Sequence, residues 1–557
     1  MTTNMTRNNN IMTLVFSVTV SLPGALGAQP HALSQLLHGG FIDRAATESA
    51  SQVPAAVKPD LASGLAQTIA QIIADPTQDI TLQEKMVISY FGKAYEAGQL
   101  EKTVIKVLDA PEIQHLLPPP VLANKGAAVR QLTAYIGAEL ETAGVVPGVS
   151  GAESWVDMSA RHLKLALASA YRSRKPGETS LFSELGFVNE FAVLTGAPFT
   201  RGNEVRFLVD GPASFSERER LIKNAKKSIH ILTWALYDDE TGKWTIEQLT
   251  AKKRENPAID IKIMVDGKTS GLHGKNTIAT LSQTGIEVVR FQDDSRQYDG
   301  LHCKSMVVDG EAAIAGGMNF GNVYSHMGIG QKWRDTDVLV TGPAVAQFSD
   351  LFADLWNKQA GAKRMPRAAR SANAGNSMVS VIAQTPGKES YVMLGILKAI
   401  SGASTRINIE NAYVIMMPAL KMALMDALSR GVQVNILTNS ATSVDEPVVS
   451  VPILKSLPDL LKAGAGIYLK NGDTLHSKFL TVDGVFCQVG SFNMHPRSIR
   501  YEKEMAVNIV DPQMAAELEA IFNTDVSRAR KITTPEQLNI PASTQSDLIQ
   551  RYFFNQL

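Results

Sequence analysis

Two stretches of the chain repeat one pattern: a histidine, a lysine two residues on, an aspartate seven residues after the histidine and an asparagine 17 after it. The first holds His302, Lys304, Asp309 and Asn319; the second holds His476, Lys478, Asp483 and Asn493. In extended backbone, residues two apart share a face, so each imidazole is presented beside an ammonium. Two such pairs imply one shared site, and the chemistry they suit is displacement at a phosphodiester. The phosphate's negative charge repels nucleophiles. Lys304 and Lys478 can neutralise it, each well-placed donor in a water-poor cleft contributing ~3 kcal/mol. One histidine must be neutral to attack phosphorus and form a phosphohistidine, while the other must be protonated to release the leaving alcohol. Their roles reverse in the second step. No metal and no cofactor is called for.

Each histidine also needs an acceptor on its other ring nitrogen. Asp335 and Glu504, at the start of the strand that follows each asparagine, suit this task; Asp337 and Glu502 share their strand faces and stay open as alternatives. The pair Gly316-Gly317 in the first copy is matched by Gly490-Ser491 in the second. Asp309 and Asp483 are grouped with the catalytic set, although Asp-Gly also favours a hairpin turn by itself. His230, His273, His326 and His495 lack the repeated context and are expected to be structural or substrate-contacting. Cys303 and Cys487 are expected to be buried thiols.

The elements that must position these groups are also duplicated. Residues 228–234, 259–265 and 285–291 read as buried strands separated by helical patterns, and 406–412, 432–438 and 466–470 answer them in order. Alternating strand and helix argues for an α/β fold of two lobes, each a largely parallel or mixed sheet covered by helices. The expected organisation is a signal peptide over 1–28, a helical region over 29–200, a first α/β domain over 201–363, a linker over 364–385, a second domain over 386–535 and a tail over 536–557.

Composition limits the partners. The 557 residues balance 54 Lys/Arg against 54 Asp/Glu, so the chain lacks the overall basic field of a non-specific nucleic-acid binder. Splitting the chain changes little: residues 1–200 hold 14 basic against 17 acidic residues, and the remainder 40 against 37. Two cysteines exclude a disulfide framework. Apart from an apolar stretch over 11–20, preceded by Arg7 and followed by small residues, nothing approaches a membrane-crossing length. That stretch reads as an export signal and places the protein in the periplasm or outside the cell; the alternative is a cytoplasmic protein at the membrane surface.

The doubled pattern His-x-Lys-x(4)-Asp-x(6)-Gly-Gly/Ser-x-Asn resembles the phospholipase D superfamily. The runs Trp333-Arg334-Asp335-Thr336, Ile436-Leu437-Thr438-Asn439-Ser440 and Pro496-Arg497-Ser498 look most like those of bacterial cardiolipin synthases. The resemblance implies two phospholipase D-like lobes related by a pseudo-twofold axis, with both His-Lys pairs at their interface. It also implies a phospholipid substrate met at a membrane surface, with His302 as nucleophile and His476 as acid/base. Gly317, Asn319, Asp335, Ser491, Asn493 and Glu504 would bind substrate or support the site; the chain departs from the family at Gly317, where many members carry Ser, so the resemblance implies a phosphate-directed hydroxyl only in the second copy, from Ser491. The product would be phosphatidic acid or a transferred phosphatidyl group. A phosphodiesterase acting on nucleic acid, or a lipid-binding module without activity, are the alternatives.

Overall fold

The computed structural model describes residues 178–540, apart from interruptions at 293–298, 360–363, 368, 370 and 387–389, together with scattered residues between 91 and 133. The expected signal peptide, much of the helical region and the tail from 541 lie outside the described residues.

The first half contains β1 (Thr200–Val209), β2 (Ser228–Thr233), β3 (Asp260–Asp266), β4 (Glu287–Phe291), β5 (Gly300–Leu301), β6 (Ser305–Val308), β7 (Ala312–Gly316) and β8 (Thr336–Thr341). The second contains β9 (Ser377–Gln384), β10 (Arg406–Asn411), β11 (Gln433–Asn439), β12 (Gly466–Lys470), β13 (Lys478–Val482), β14 (Phe486–Gly490), β15 (Glu502–Val510) and β16 (Arg530–Ile532). The strands join in the order β16-β12-β11-β10-β13-β14-β15-β9-β1-β8-β7-β6-β2-β3-β4, with β5 beside β15. Reading outward from the β9–β1 seam gives the same order in both directions, which is the expected two-lobe α/β architecture. The β2-β3-β4 and β10-β11-β12 pairings are parallel, as alternation with helices requires.

One boundary differs from expectation. The segment 364–385 is not wholly a linker, because β9 lies inside it and pairs with β15 on one side and β1 on the other. Its run Val379-Ser-Val-Ile382 alternates weakly and follows an Ala/Ser-rich stretch, which hides a central strand.

The halves share a core. Val338, Val340, Phe348, Phe352 and Trp356 of the first pack in one cluster with Val489, Val507, Leu518 and Phe522 of the second. Burying large side chains across the seam stabilises one relative placement of the lobes, at roughly 1.5–3 kcal/mol per side chain. A second cluster joins the outer face of the second lobe to described parts of the N-terminal region. There Phe182 stacks on Phe486 at 4.1 Å, and helix Leu100–Asp109 buries Val104, Val107 and Leu108.

The two Asp-Gly turns close the β6–β7 and β13–β14 hairpins, with Asp309 and Asp483 at φ 57° and 54° and Gly310 and Gly484 at 69° and 66°. Their carboxylates point away from the histidines. Asp309 accepts from the amides of Lys226, Lys227 and Ser228, and Asp483 from those of Ser404, Thr405 and Arg406. Each thus ties its hairpin to the start of β2 or β10, at the far end of the strand from the His-Lys pair. This corrects their grouping as catalytic residues. Asp483→Ala is expected to lower stability by ~2 kcal/mol, by orphaning amides and straining a left-handed residue, while turnover per folded molecule changes less than threefold. Thermal unfolding and active-site-normalised kinetics check this; lost turnover at unchanged melting temperature would make Asp483 catalytic after all.

Candidate active site

Each histidine is fastened to the opposite half. The backbone N–H of His302 donates to the carbonyl of Lys503 at 3.0 Å, continuing the parallel pairing of β5 with β15. The N–H of His476 donates to the carbonyl of Arg334 at 2.7 Å, beside a bridge between Arg334 and Leu475. Strand segments therefore cross the seam in both directions and bring the two His-Lys pairs together. All four side chains are buried.

The orienting acids also cross over. His302 Nδ1 lies 3.0 and 3.1 Å from the two oxygens of Glu504, in the second half. His476 Nδ1 lies 2.7 Å from Asp335 Oδ2, in the first. Asp337 instead pairs with Arg218 at 2.8 Å and accepts from Ser214. Glu502 stands 4.0 Å from His302 and pairs with Arg497 at 2.9 Å. A carboxylate on Nδ1 holds the N–H tautomer there and leaves Nε2 for chemistry.

The copies differ where the acids differ. A Cβ on Gly317 would collide with Asp335 Oδ1, so the glycine makes room for the short carboxylate. In the second copy Ser491 stands at that place, and its hydroxyl donates to Glu504, while Ser498 donates to the other oxygen at 2.7 Å. The hydroxyl expected to face phosphate is therefore spent on fixing Glu504. Asn319 and Asn493 are both buried; Asn319 Oδ1 accepts from Thr233 at 3.2 Å, and the side-chain Oδ1 of Asn493 finds no hydrogen bond.

Electrostatics follow from burial. Removal from water pushes both Lys304 and Lys478 down to about 8, against the pull of Glu504 and Asp335. Burial, then the Lys478 charge, holds His476 well below its ordinary value. Burial lifts Asp335 to about 6, although Lys478, the Thr336 amide, Arg334 and Lys304 oppose it. Burial alone would raise Glu502 as well, but the charges of His302 and Arg497 hold it well below the usual range.

Three groups of residues were not legible as parts of the site. Arg334 bonds Asp525, Thr336 and Ser477, immobilising the strand that carries Asp335. Trp333 stacks on His476 at 5.2 Å and Tyr324 meets it edge-on at 5.1 Å; Trp234 lies edge-on to His302 at 6.1 Å. Ser498 completes the Glu504 clasp. Arg334, Trp333 and Ser498 all lie in runs noted for their family resemblance, but spacing carried no hint of their partners. Of the remaining histidines, His230 pairs with Asp260, His326 with the Trp333 carbonyl, and His495 caps helix Pro496–Arg500. Both cysteines are buried and free.

Among the described residues, one cluster has metal-ligand spacing: His302, Glu502 and Glu504. Its carboxylates are already bonded to Ser491, Ser498 and Arg497, which suits a role in orienting His302.

Comparison with known proteins agrees with this geometry. Residues 219–356 and 396–526 match the family described as cardiolipin synthase, PLD-like domain. The cardiolipin synthase of Listeria monocytogenes serotype 4a (strain HCC23) is 28% identical over 356 residues, spanning 61% of this chain and 72% of that protein. Cardiolipin synthase 2 of Staphylococcus epidermidis (strain ATCC 35984) is 29% identical over 351 residues, 60% of this chain and 71% of that protein. Among solved structures, phosphatidylserine synthase of Haemophilus influenzae Rd KW20 shares the fold with a TM-score of 0.56 at 17% identity, over 66% of this chain and 97% of that one. With the family match falling once on each of the halves that the sheet order relates, the chain belongs to the phospholipase D superfamily and is cardiolipin synthase-like.

Proposed function

We propose that the protein cleaves the distal phosphodiester of a glycerophospholipid through a phosphatidyl-histidine and passes the phosphatidyl group to an alcohol or to water. The observation that carries this reading is the crossed pair: His302 on Glu504 and His476 on Asp335, with Lys304 and Lys478 beside them in one buried site. His302 Nε2 attacks phosphorus, the phosphorus–oxygen bond to the headgroup breaks, and His476 supplies the proton that the departing alkoxide needs. In the second step His476 takes a proton from the incoming alcohol or water, whose oxygen attacks phosphorus and displaces His302. The lysines offset the charge that builds on the phosphoryl oxygens in both steps. The two-oxygen grip of Glu504, itself held by Ser491 and Ser498, favours His302 as the nucleophile.

Contact with a membrane surface follows from such a substrate, and no described helix is long and apolar enough to cross a membrane. Export by the segment over 1–28 belongs to the same proposal, with the membrane met from outside the cytoplasm.

The test is product analysis after incubation with labelled phosphatidylglycerol, phosphatidylethanolamine and a short DNA duplex, with and without added glycerol or ethanol. Cardiolipin or a phosphatidyl-alcohol is expected where an acceptor is present, and phosphatidic acid where water competes. Degraded DNA with untouched lipid would overturn the reading.

A further inference from the structure

In the proposed reaction His476 gives its proton to the departing headgroup and later takes one from the incoming alcohol, so both alcohols occupy the space beside its ring. One carboxylate next to that space has no part in the reaction. Asn439, the last residue of β11, accepts from the Leu475 N–H at 3.0 Å and donates to the carbonyls of Leu475 at 2.7 Å and Ala412 at 3.0 Å. Ala412 in turn donates its N–H to the Ser477 carbonyl at 3.1 Å. The loop after β11 folds back on this anchor, with the Ser443 hydroxyl on Asn439 Oδ1 at 2.9 Å, and presents Asp445 half-buried. Tyr413, which follows Ala412, donates its hydroxyl to Asp445 Oδ1 at 2.6 Å. Asp445 is thereby tied to the backbone on either side of His476. Its charge is felt there: burial and Lys478 hold His476 low, and Asp445 pulls the other way.

Aromatic rings stand on the same side. Trp333 and Tyr324 pack on His476, and Tyr237 meets Tyr324 at 6.3 Å. Burial first, with the Asp445 charge adding to it, lifts the phenols of Tyr237, Tyr324 and Tyr413. Trp333 and Tyr237 are half-buried like Asp445, so solvent reaches this side of the site.

The carboxylate is not neutralised. Among the described residues it receives one hydrogen bond, from Tyr413, and forms no ion pair. Glu446 beside it and Asp239 across the seam add negative charge around the same tyrosines. Arg497, whose charge reaches Glu446, is bonded to Glu502 at 2.9 Å. The matching loop of the first lobe leaves β3 at Asp266, which accepts from Leu301 as Asn439 does from Leu475, and it carries Lys268 instead of an acid pair. The lobes thus differ in sign, and the negative loop stands beside the histidine that handles the alcohol. A carboxylate among ring faces attracts an ammonium group, repels another carboxylate and gives a neutral polyol no advantage of charge.

We propose that Asp445, Tyr413 and the rings around His476 form a subsite for an alcohol that carries an ammonium group, as ethanolamine does, either leaving the donor lipid or arriving as the acceptor. This rests on the phospholipid reading and names the headgroup class that the site favours. Wild type, D445N, D445K and Y413F are assayed for headgroup release from dihexanoyl-phosphatidylethanolamine, -phosphatidylglycerol and -phosphatidylserine below their micelle concentrations. The quantity compared is the ratio of kcat/KM between lipids, from which a loss of folded enzyme, or a change at His476 common to all substrates, cancels. Wild type should favour ethanolamine over glycerol about tenfold and use serine least. D445N should lower the ethanolamine-to-glycerol ratio about tenfold, and D445K should place the serine lipid ahead of the ethanolamine lipid. Y413F, which keeps the charge but frees it to move, should lower the ratio about threefold. In a second arm a phosphatidyl-nitrophenol donor, whose leaving group is the same in every reaction, is offered ethanolamine or ethanol, and D445N should lower the preference for ethanolamine. A shift in the first arm alone makes the leaving headgroup the ligand, a shift in the second alone the incoming alcohol, and either supports the subsite. Ratios that D445N leaves within twofold in both arms, or a wild type that prefers the serine lipid, would overturn it while the phospholipid reading stands. Absence of headgroup release from every lipid by wild type would remove both.

Discussion

His302→Ala should lower turnover roughly 10⁴-fold or more, the scale seen when a covalent catalyst loses its nucleophile, and should leave no phosphorylated protein. His476→Ala should behave differently. Without the acid, a poor leaving group such as a headgroup alkoxide is not expelled, but an activated phosphodiester with a nitrophenolate leaving group needs no proton. That variant should therefore react once and stop, holding phosphate on His302, because the base that activates water has gone too. The modified peptide, labile in acid and stable in base, identifies the atom that attacked. Burial and Lys478 hold His476 neutral in the substrate-free site, so it becomes an acid only when a bound phosphate offsets the two ammonium groups. Label appearing on His476 in the His302→Ala protein would reverse the assignment.

What was legible beforehand and what was not divides along a physical line. The His-x-Lys pairs, the hairpins and the six outer strands depend on residues close in sequence, and all were readable from spacing and alternation. The acid assignments depend on which strands meet. Asp335 follows His302 and Glu504 follows His476, yet each serves the other histidine, because β9 and β1 join the halves and set β5 against β15. No local pattern contains that crossing. Ser491 shows a second limit: a hydroxyl near a phosphate site has several possible acceptors, and only the placement of Glu504 shows that it is spent on a carboxylate. Asp309 and Asp483 show a third, since their left-handed turns leave their carboxylates free to cap the amides ahead of β2 and β10. The Arg334 clasp joins residues 210, 334, 410 and 525 and was beyond any reading by spacing.

Asp335→Asn is expected to lower turnover by about 10³-fold with little change in the affinity for substrate, since an orienting acceptor acts on the tautomer and charge of the imidazole. Asp335 Oδ2 receives His476 Nδ1–H at 2.7 Å and sits in the space left by the missing side chain of Gly317. An asparagine there offers a neutral oxygen or an N–H, and neither supports the imidazolium that forms as His476 takes up its proton. The pH profile separates this from a packing defect. Because burial lifts Asp335 to about 6, wild-type turnover should fall as pH drops through about 6 and the carboxylate gains a proton. On the other side it should fall as pH rises beyond about 8 and the lysines lose theirs. The substituted amide cannot titrate, so the variant should lose the acid limb while the alkaline limb remains. Gly317→Ala should share the rate loss by a different route, its new methyl meeting Asp335 Oδ1 and pushing the carboxylate off His476. A variant Asp335→Asn that keeps both limbs, or that loses less than threefold in rate, would remove Asp335 from the mechanism and leave the His476 ring to be oriented by its packing against Trp333 and Tyr324.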